Sequence, residues 1–202
     1  MPCDVWWPAT LSLDVLGLKR AQRKLERLCQ DHPTFSAIRD AAHGCYLAER
    51  GRAAEALERY RDVFESQLAE PTLRDMRLAS AYARILRAAG HAEEARAVCE
   101  TALAKLSARE LEFTSLVHWV RLELALAKIE LGLHDEMATE LDSLLAAQIV
   151  HDNPLIHGLT HKARAQLALV MRDAAAYQQH AQAMHDWFRR TDNPALMAQW
   201  RN

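Results

Sequence analysis

The sequence predicts an all-α fold, a right-handed α-solenoid of about four helix hairpins with a leading helix and a C-terminal capping helix. Turn signals that contain Gly51, Gly90 and Gly132 recur along the chain, and Arg172 falls in step with them without a glycine. The intervals between these four positions are 39, 42 and 40 residues. Such a period is typical of stacked repeats, in which one unit cannot bury its apolar face alone.

The composition favours helix throughout the chain. Of the 202 residues, half are hydrophobic and 26% are charged, while glycine and proline number only six each. Alanine and leucine, which abound here, are good helix formers, and no alternating or β-branched run indicates a strand. We therefore expect one continuous helical domain over residues 1–202.

Local signals place the helices in order. Asp31-His32-Pro33 ends the first helix, because proline cannot continue the helix that it follows but suits the first turn of the next. Ser107 to Glu110 fits a capping box, and Asn153-Pro154 and Asn193-Pro194 each put an N-cap side chain before a proline. The predicted helices are 10–30, 34–50, 53–69, 71–89, 92–106, 108–131, 134–148, 154–170 and 173–190, followed by a short helix that begins at Pro194.

The predicted domain divides at its turns. Residues 1–33 are expected to form an N-terminal cap and helix, and residues 191–202 a C-terminal cap. The four repeats are expected at 34–70, 71–106, 107–150 and 151–190. Solenoid ends need a cover. The tryptophans expected to provide it are Trp6, Trp7, Trp187 and Trp200.

Small residues recur at fixed distances from the turns, where they let the two helices of a hairpin approach closely. This pattern resembles the tetratricopeptide repeat over about residues 34–190. Its hallmark small residues are best matched by Gly44, Gly51 and Ala56, and then by Ala83, Gly90 and Ala95. The later repeats keep the small residue of the first helix, as Ala125 and Ala165, but lose the alanine of the second. The period also exceeds the roughly 34 residues usual in that family.

A second resemblance covers the last repeat. The segment from His157 to Leu196 is similar to the tail of repeat regions in large bacterial signalling proteins, where such repeats follow a kinase or ATPase domain. This resemblance implies a regulatory role. No kinase or nucleotide motif is present in the chain itself.

The sequence offers no constellation for catalysis, so we expect no enzyme and no cofactor. There is no phosphate-binding glycine loop, no nucleophile elbow and no HExxH motif. Cys3, Cys29, Cys45 and Cys99 form no CxxC pair and are expected to be reduced, with Cys45 and Cys99 buried and unreactive. No window is apolar enough for a membrane span, and a cytoplasmic location is expected.

His157 and His161 are the candidates for a metal site. They lie four residues apart on one predicted helix, a spacing that can bring two imidazoles to one ion. A third ligand is not evident, although His151 and His180 are candidate neighbours. Packing or surface histidines are the favoured interpretation, so no metal is predicted.

A partner-binding groove is predicted along the first helix of each hairpin. Side chains at a spacing of three or four share one helix face. That face holds Arg77, Ser80, Arg84, Arg87, Trp119, Leu122, Lys162 and Gln166, preceded in the first repeat by the uncharged Ala41, Cys45 and Ala48. Its cationic middle and apolar start would suit an acidic-plus-hydrophobic segment of another protein. The alternative is that the arginines pair with acidic neighbours such as Glu123 and only solvate the face.

The expected function is therefore a protein–protein interaction scaffold or a regulatory adaptor in bacterial signalling. The alternative is a helical domain that senses a small ligand. A closed apolar pocket with convergent polar groups would favour it, whereas an open charged groove would favour a protein or peptide. A net charge of −2 disfavours a nucleic-acid partner. The basic face of the first helix is interpreted as solvated surface.

Overall fold

The computed structural model describes residues 10, 12, 14–69, 72, 75–106, 115–148 and 152–199. Within these ranges the regular elements are helices, and the ranges contain no β-strand. The ten α-helices of these ranges are α1 (Val15–Asp31), α2 (Ser36–Glu49), α3 (Ala53–Gln67), α4 (Met76–Ala88), α5 (Ala92–Ala104), α6 (Ser115–Glu130), α7 (Met137–Gln148), α8 (Pro154–Val170), α9 (Ala174–Arg189) and α10 (Pro194–Ala198). A short 3-10 turn at Pro33–Phe35 links α1 to α2.

Two compact units make up the chain, unit 1 (Met1–Leu124) and unit 2 (Ala125–Asn202). In unit 1, α1 packs on α2, the pairs α2–α3 and α4–α5 form hairpins, and α4 packs on both α2 and α3. In unit 2, α8 packs on α7 and α9, and α9 packs on α10. This arrangement confirms an all-helical fold of neighbouring helix pairs. The right-handed solenoid, the count of four repeats and the single domain stay predictions.

The four predicted turns share one backbone conformation. Gly51, Gly90 and Gly132 have φ values of 72°, 85° and 81°, and Arg172 adopts the same left-handed region with φ 59°. In each turn the amide of this residue donates to the carbonyl three residues earlier, and the next amide donates to the carbonyl five residues earlier. These bonds measure between 2.9 and 3.2 Å. The pattern is the Schellman motif, which satisfies the last carbonyls of a helix while it reverses the chain.

Glycine also allows close contact between helices at two positions. A Cβ atom on Gly44 of α2 would lie 2.9 Å from Cδ1 of Ile85 on α4. A Cβ atom on Gly158 of α8 would overlap the ring of Phe188 on α9. Phe188 is fully buried in a cluster with Met184 and Leu196, so α10 covers the apolar end of the α8–α9 hairpin. Gly44 is one of the recurring small residues of the sequence, but its tightest contact is with α4 and not with α3 of its own hairpin, and Gly158 is not one of the recurring positions.

Side-chain caps fix several helix starts. The carboxylate of Asp14 accepts from the amide of Gly17 at 2.8 Å, so α1 begins at Val15 and not at residue 10. Asn153 and Asn193 cap α8 and α10 as predicted. α4 begins at Met76 rather than at residue 71 and has no side-chain cap, since the Asp75 carboxylate accepts instead from the preceding amide of Thr72.

Some predicted features lie outside the described residues. They are the capping box at 107–110, Cys3, Trp6, Trp7, His151 and Trp200.

The turn at Arg172 gives a direct test of the repeat. We expect Arg172→Gly to raise the free energy of unfolding by about 0.5–1 kcal/mol, because an L-residue in the left-handed region carries roughly 1–2 kcal/mol of strain while glycine costs some unfolded-state entropy. Gly90→Ala should lower it by about 1 kcal/mol for the same reason. Urea unfolding measures both changes.

Arg172→Ala is the matched control for this test. It removes the same side chain but keeps the strained backbone, so it should not stabilise the protein. A stabilisation of equal size by alanine and glycine would contradict the left-handed turn at this position.

Candidate functional site

Unit 1 buries much of the predicted binding face. Ser80, Trp119 and Leu122 have 2%, 5% and 4% of their surface exposed. Their side chains therefore pack inside the protein and are not accessible to a partner in this structure. Ala41 and Cys45 are buried as well. The part of this face that reaches solvent consists of four half-buried residues, Ala48, Arg77, Arg84 and Arg87.

Two of these arginines belong to an ion-pair network across three helices. Arg84 on α4 donates to Glu49 at the end of α2, with Nη2 2.9 Å from Oε1. Arg87, one turn further along α4, donates to Glu123 of α6 at 2.5 Å. Arg84 also lies 3.9 Å from Glu123. The two carboxylates thus reach α4 from two different helices, α2 and α6.

This network balances the charges of the predicted cationic groove. Two guanidinium groups face two carboxylates, and the side chains of Arg84, Arg87 and Glu123 are only 21%, 16% and 6% exposed. The geometry matches the second sequence interpretation, in which the arginines pair with acidic neighbours. An acidic partner at this position would have to displace Glu49 or Glu123.

The network is expected to stabilise unit 1. Glu123→Gln should lower the free energy of unfolding by about 1–3 kcal/mol, because it leaves a largely buried guanidinium without its carboxylate. The matched control is Glu94→Gln, which removes an exposed ion pair with Arg61. That change should cost well under about 1 kcal/mol. Urea unfolding distinguishes the two.

A charge exchange refines the same test. Arg87→Glu should destabilise strongly, since it brings two carboxylates together, and Arg87→Glu combined with Glu123→Arg should recover part of the loss. Equal effects of Glu123→Gln and Glu94→Gln would show that the network contributes no more than a surface pair.

Unit 2 presents the other predicted residues on an exposed surface. Lys162 and Gln166 of α8 lie one turn apart, with Gln166 exposed and the Lys162 amine donating to Gln199 at 2.7 Å. Sequence reasoning missed two apolar residues on the next turn of this helix, Leu169 and Val170, which are 65% and 51% exposed. We call Lys162, Gln166, Leu169 and Val170 the α8 stripe, since their spacing of three or four places them along one side of the helix.

The α8–α9 hairpin brings His161 against His180 and not against His157. Their Nδ1 atoms lie 3.0 Å apart, which requires one ring to donate and the other to accept. His157 instead stacks on Trp187, with ring centroids 4.2 Å apart, and the guanidinium of Arg190 lies 4.3 Å from the centroid of the Trp187 ring. Within the described part of the chain, no group of three His, Cys, Asp or Glu side chains is placed to hold a metal.

Burial keeps this histidine pair uncharged. It lowers the pKa of His161 to about 4, assisted by His180 and His157, with Asp142 acting in the opposite direction. It also lowers the pKa of His180, where Arg164 acts in the same direction and Asp142 and Asp173 oppose it. Both rings are therefore neutral at neutral pH.

The histidine pair predicts acid sensitivity. In the unfolded chain His161 titrates near 6.5. As the pH falls from 6.5 to about 4, protonation therefore favours the unfolded state, and the free energy of unfolding should decrease. Each pKa unit corresponds to about 1.4 kcal/mol. Because solvent screens charges at this half-buried site, we expect the free energy of unfolding to fall by only about 1–2 kcal/mol over this pH range. His161→Gln should remove that part of the pH dependence, measured as urea midpoints across the range.

The control for this pH series is His32→Gln, which alters an exposed histidine of unit 1. It should leave the pH profile of the wild-type protein unchanged. Parallel pH profiles for His161→Gln and the wild type would show that His161 does not cause the acid sensitivity.

The cysteines lie as expected where they are described. Cys45 and Cys99 are free thiols with 1% and 0% of their surface exposed, and Cys29 is half-buried. Burial raises the pKa of the Cys45 thiol to about 12 and also raises the pKa of Cys99. Their predicted burial is confirmed, and high pKa values disfavour reactive thiolates.

Sequence reasoning also missed a polar pocket in unit 1. Its volume is about 430 Å³, and its walls come from α1, α2 and α3, which supply Glu26, His43 and Arg59 among other residues. These residues are sixteen or seventeen positions apart in the chain and form no motif. Only the packing of three helices brings them together.

No family model matches the chain, and no curated protein or solved structure matches it either. The resemblance to tetratricopeptide repeats therefore stays a prediction from the residues that carry it. Among the helices that the structure describes, none combines the length and the apolar character needed to cross a membrane.

Proposed function

We propose that the protein is an interaction scaffold or regulatory adaptor that binds a segment of another protein. The observation that carries this proposal is the α8 stripe. It ends in large aliphatic side chains that no part of unit 2 covers fully, and the adjacent Met171 is 48% exposed as well. Isolated exposed leucines are ordinary on protein surfaces. Three consecutive exposed apolar residues are typical of an interaction site.

The α8 stripe also indicates the chemistry of the partner. Lys162 places a half-buried ammonium group, bonded to Gln199, at one end. Gln166 offers an exposed amide in the middle, and Leu169 offers apolar surface at the other end. A segment that combines an acidic residue with apolar residues one or two helical turns away would complement this order. This is the partner class expected from the sequence, and we assign it to unit 2 alone.

The predicted binding face of unit 1 contributes less to this proposal. Its aromatic and aliphatic members are buried, and Arg84 and Arg87 already contact carboxylates of the same chain. Arg77 remains a predicted contact. The assignment to bacterial signalling rests on the sequence resemblance, and we propose no catalytic activity.

The proposal predicts that Leu169→Ser weakens partner binding by about tenfold or more, since losing a buried leucine at an interface costs at least about 1.4 kcal/mol. Leu16→Ser is the matched control, because Leu16 of α1 is 67% exposed and Leu169 is 65% exposed. A photocrosslinker at Gln166 would capture the partner from native cell extract, and titration of the purified partner would then give the affinities.

Circular dichroism must show that both variants keep their helical content. Equal partner binding by Leu169→Ser, Leu16→Ser and the wild type would contradict a role for the α8 stripe. Loss of binding in both variants would show a general effect of reduced apolar surface and would contradict it as well.

A further inference from the structure

The polar pocket of unit 1 carries an inference that is independent of the α8 stripe. It lies where α1, α2 and α3 pack together, and its volume of about 430 Å³ is within the range of small-molecule sites. Its charged lining residues are Glu26 of α1, Arg39 and Asp40 of α2 and Arg59 of α3, of which Glu26 and Arg59 are exposed. A few convergent polar groups fix the orientation of a small molecule in such a site.

The cationic side of the pocket is Arg59. Its guanidinium lies 3.5 Å from Glu55, which is longer than the roughly 2.7–2.9 Å of a charge-assisted hydrogen bond. The other oxygen of Glu55 is held by Arg52 at 2.5 Å, so Arg59 shares its carboxylate with a second cation. Arg39 differs, because Asp40 binds it closely at 2.6 Å. Arg59 also hydrogen-bonds Tyr60, but its side chain is 54% exposed and no carboxylate holds it closely, so a ligand carboxylate would meet Arg59 rather than Arg39.

The anionic side of the pocket is Glu26 of α1. Its carboxylate accepts a hydrogen bond from the Gln22 amide at 3.0 Å, which is a neutral donor. A ligand ammonium group would give the Glu26 carboxylate a positively charged partner, which the Gln22 amide is not.

Two neutral polar groups also line the pocket. His43 Nδ1 and the Tyr60 hydroxyl form a hydrogen bond across α2 and α3. Burial lowers the pKa of His43, with Arg59 acting in the same direction, and burial together with Asp40 raises the pKa of Tyr60. Both side chains therefore offer uncharged hydrogen-bonding groups at neutral pH. Shifted titratable groups in one cleft are typical of binding sites.

We propose that this pocket binds a small zwitterion, a free α-amino acid, with the carboxylate on Arg59 and the ammonium group on Glu26. A ligand with only a negative charge would face Glu26 without compensation, and a ligand with only a positive charge would face Arg59. A molecule that carries both charges satisfies both sides of the pocket.

The test uses the full chain and calorimetric titration with each of the genetically encoded L-amino acids in free form. Acetate and ethylammonium serve as probes with a single charge. At least one amino acid should bind, and Arg59→Gln and Glu26→Gln should each weaken its binding by about tenfold, as expected when one charged contact is lost. The matched controls are Arg61→Gln and Glu58→Gln on α3, outside the pocket lining, which should leave the affinity unchanged.

Three results would overturn this proposal. They are the absence of heat with every amino acid, equal affinity for acetate or ethylammonium and the best amino acid, and unchanged binding by the Arg59 and Glu26 variants. Because the α8 stripe belongs to unit 2, the partner-binding measurement succeeds or fails independently of these outcomes.

Discussion

The left-handed residue at each hairpin turn is the constraint on which the rest of the structure depends. A positive φ at this position lets two successive amides bond back into the helix that has just ended, and the chain reverses within a few residues. The reversal lays the second helix against the first, which allows close contacts such as Gly158 against Phe188. In unit 1, α4 packs on the α2–α3 hairpin, which brings Arg84 within reach of Glu49, 35 positions earlier in the chain.

The sequence predicts this part of the fold well, because turn chemistry is local. The regular spacing identifies Arg172 as the fourth turn although it is not a glycine, and the structure places it in the left-handed region. Asn153 and Asn193 are recognisable as caps, since each precedes a proline. The predicted starts of α1 and α4 are too early. Asp14 caps α1 through a bond to the Gly17 amide, which apolar periodicity does not show, whereas the Asp75 carboxylate bonds back to Thr72 and does not cap α4.

The candidate sites are harder to predict, because exposure and pairing depend on which helices meet. Periodicity puts Trp119 and Leu122 on the same face as the arginines, but the packing of unit 1 buries them. The sequence suggests Glu123 as an acidic neighbour, yet its near-complete burial with Arg87 follows only from the contact between α4 and α6. The pocket around His43 joins residues from three helices. The exposed apolar residues at the end of α8 can be recognised in the sequence, since an apolar run ends at Met171 just before a predicted turn.

The backbone conformation of Arg172 in solution shows whether a left-handed residue makes the hairpin turn. An NMR measurement of the intraresidue distance between its amide and α protons, together with its φ-dependent couplings, distinguishes the left-handed from the right-handed region. We expect a short distance and a φ near 59°, as found in the structure. A negative φ, with helical contacts continuing from α8 through Asp173 into α9, would contradict the hairpin turn and the repeat built on it.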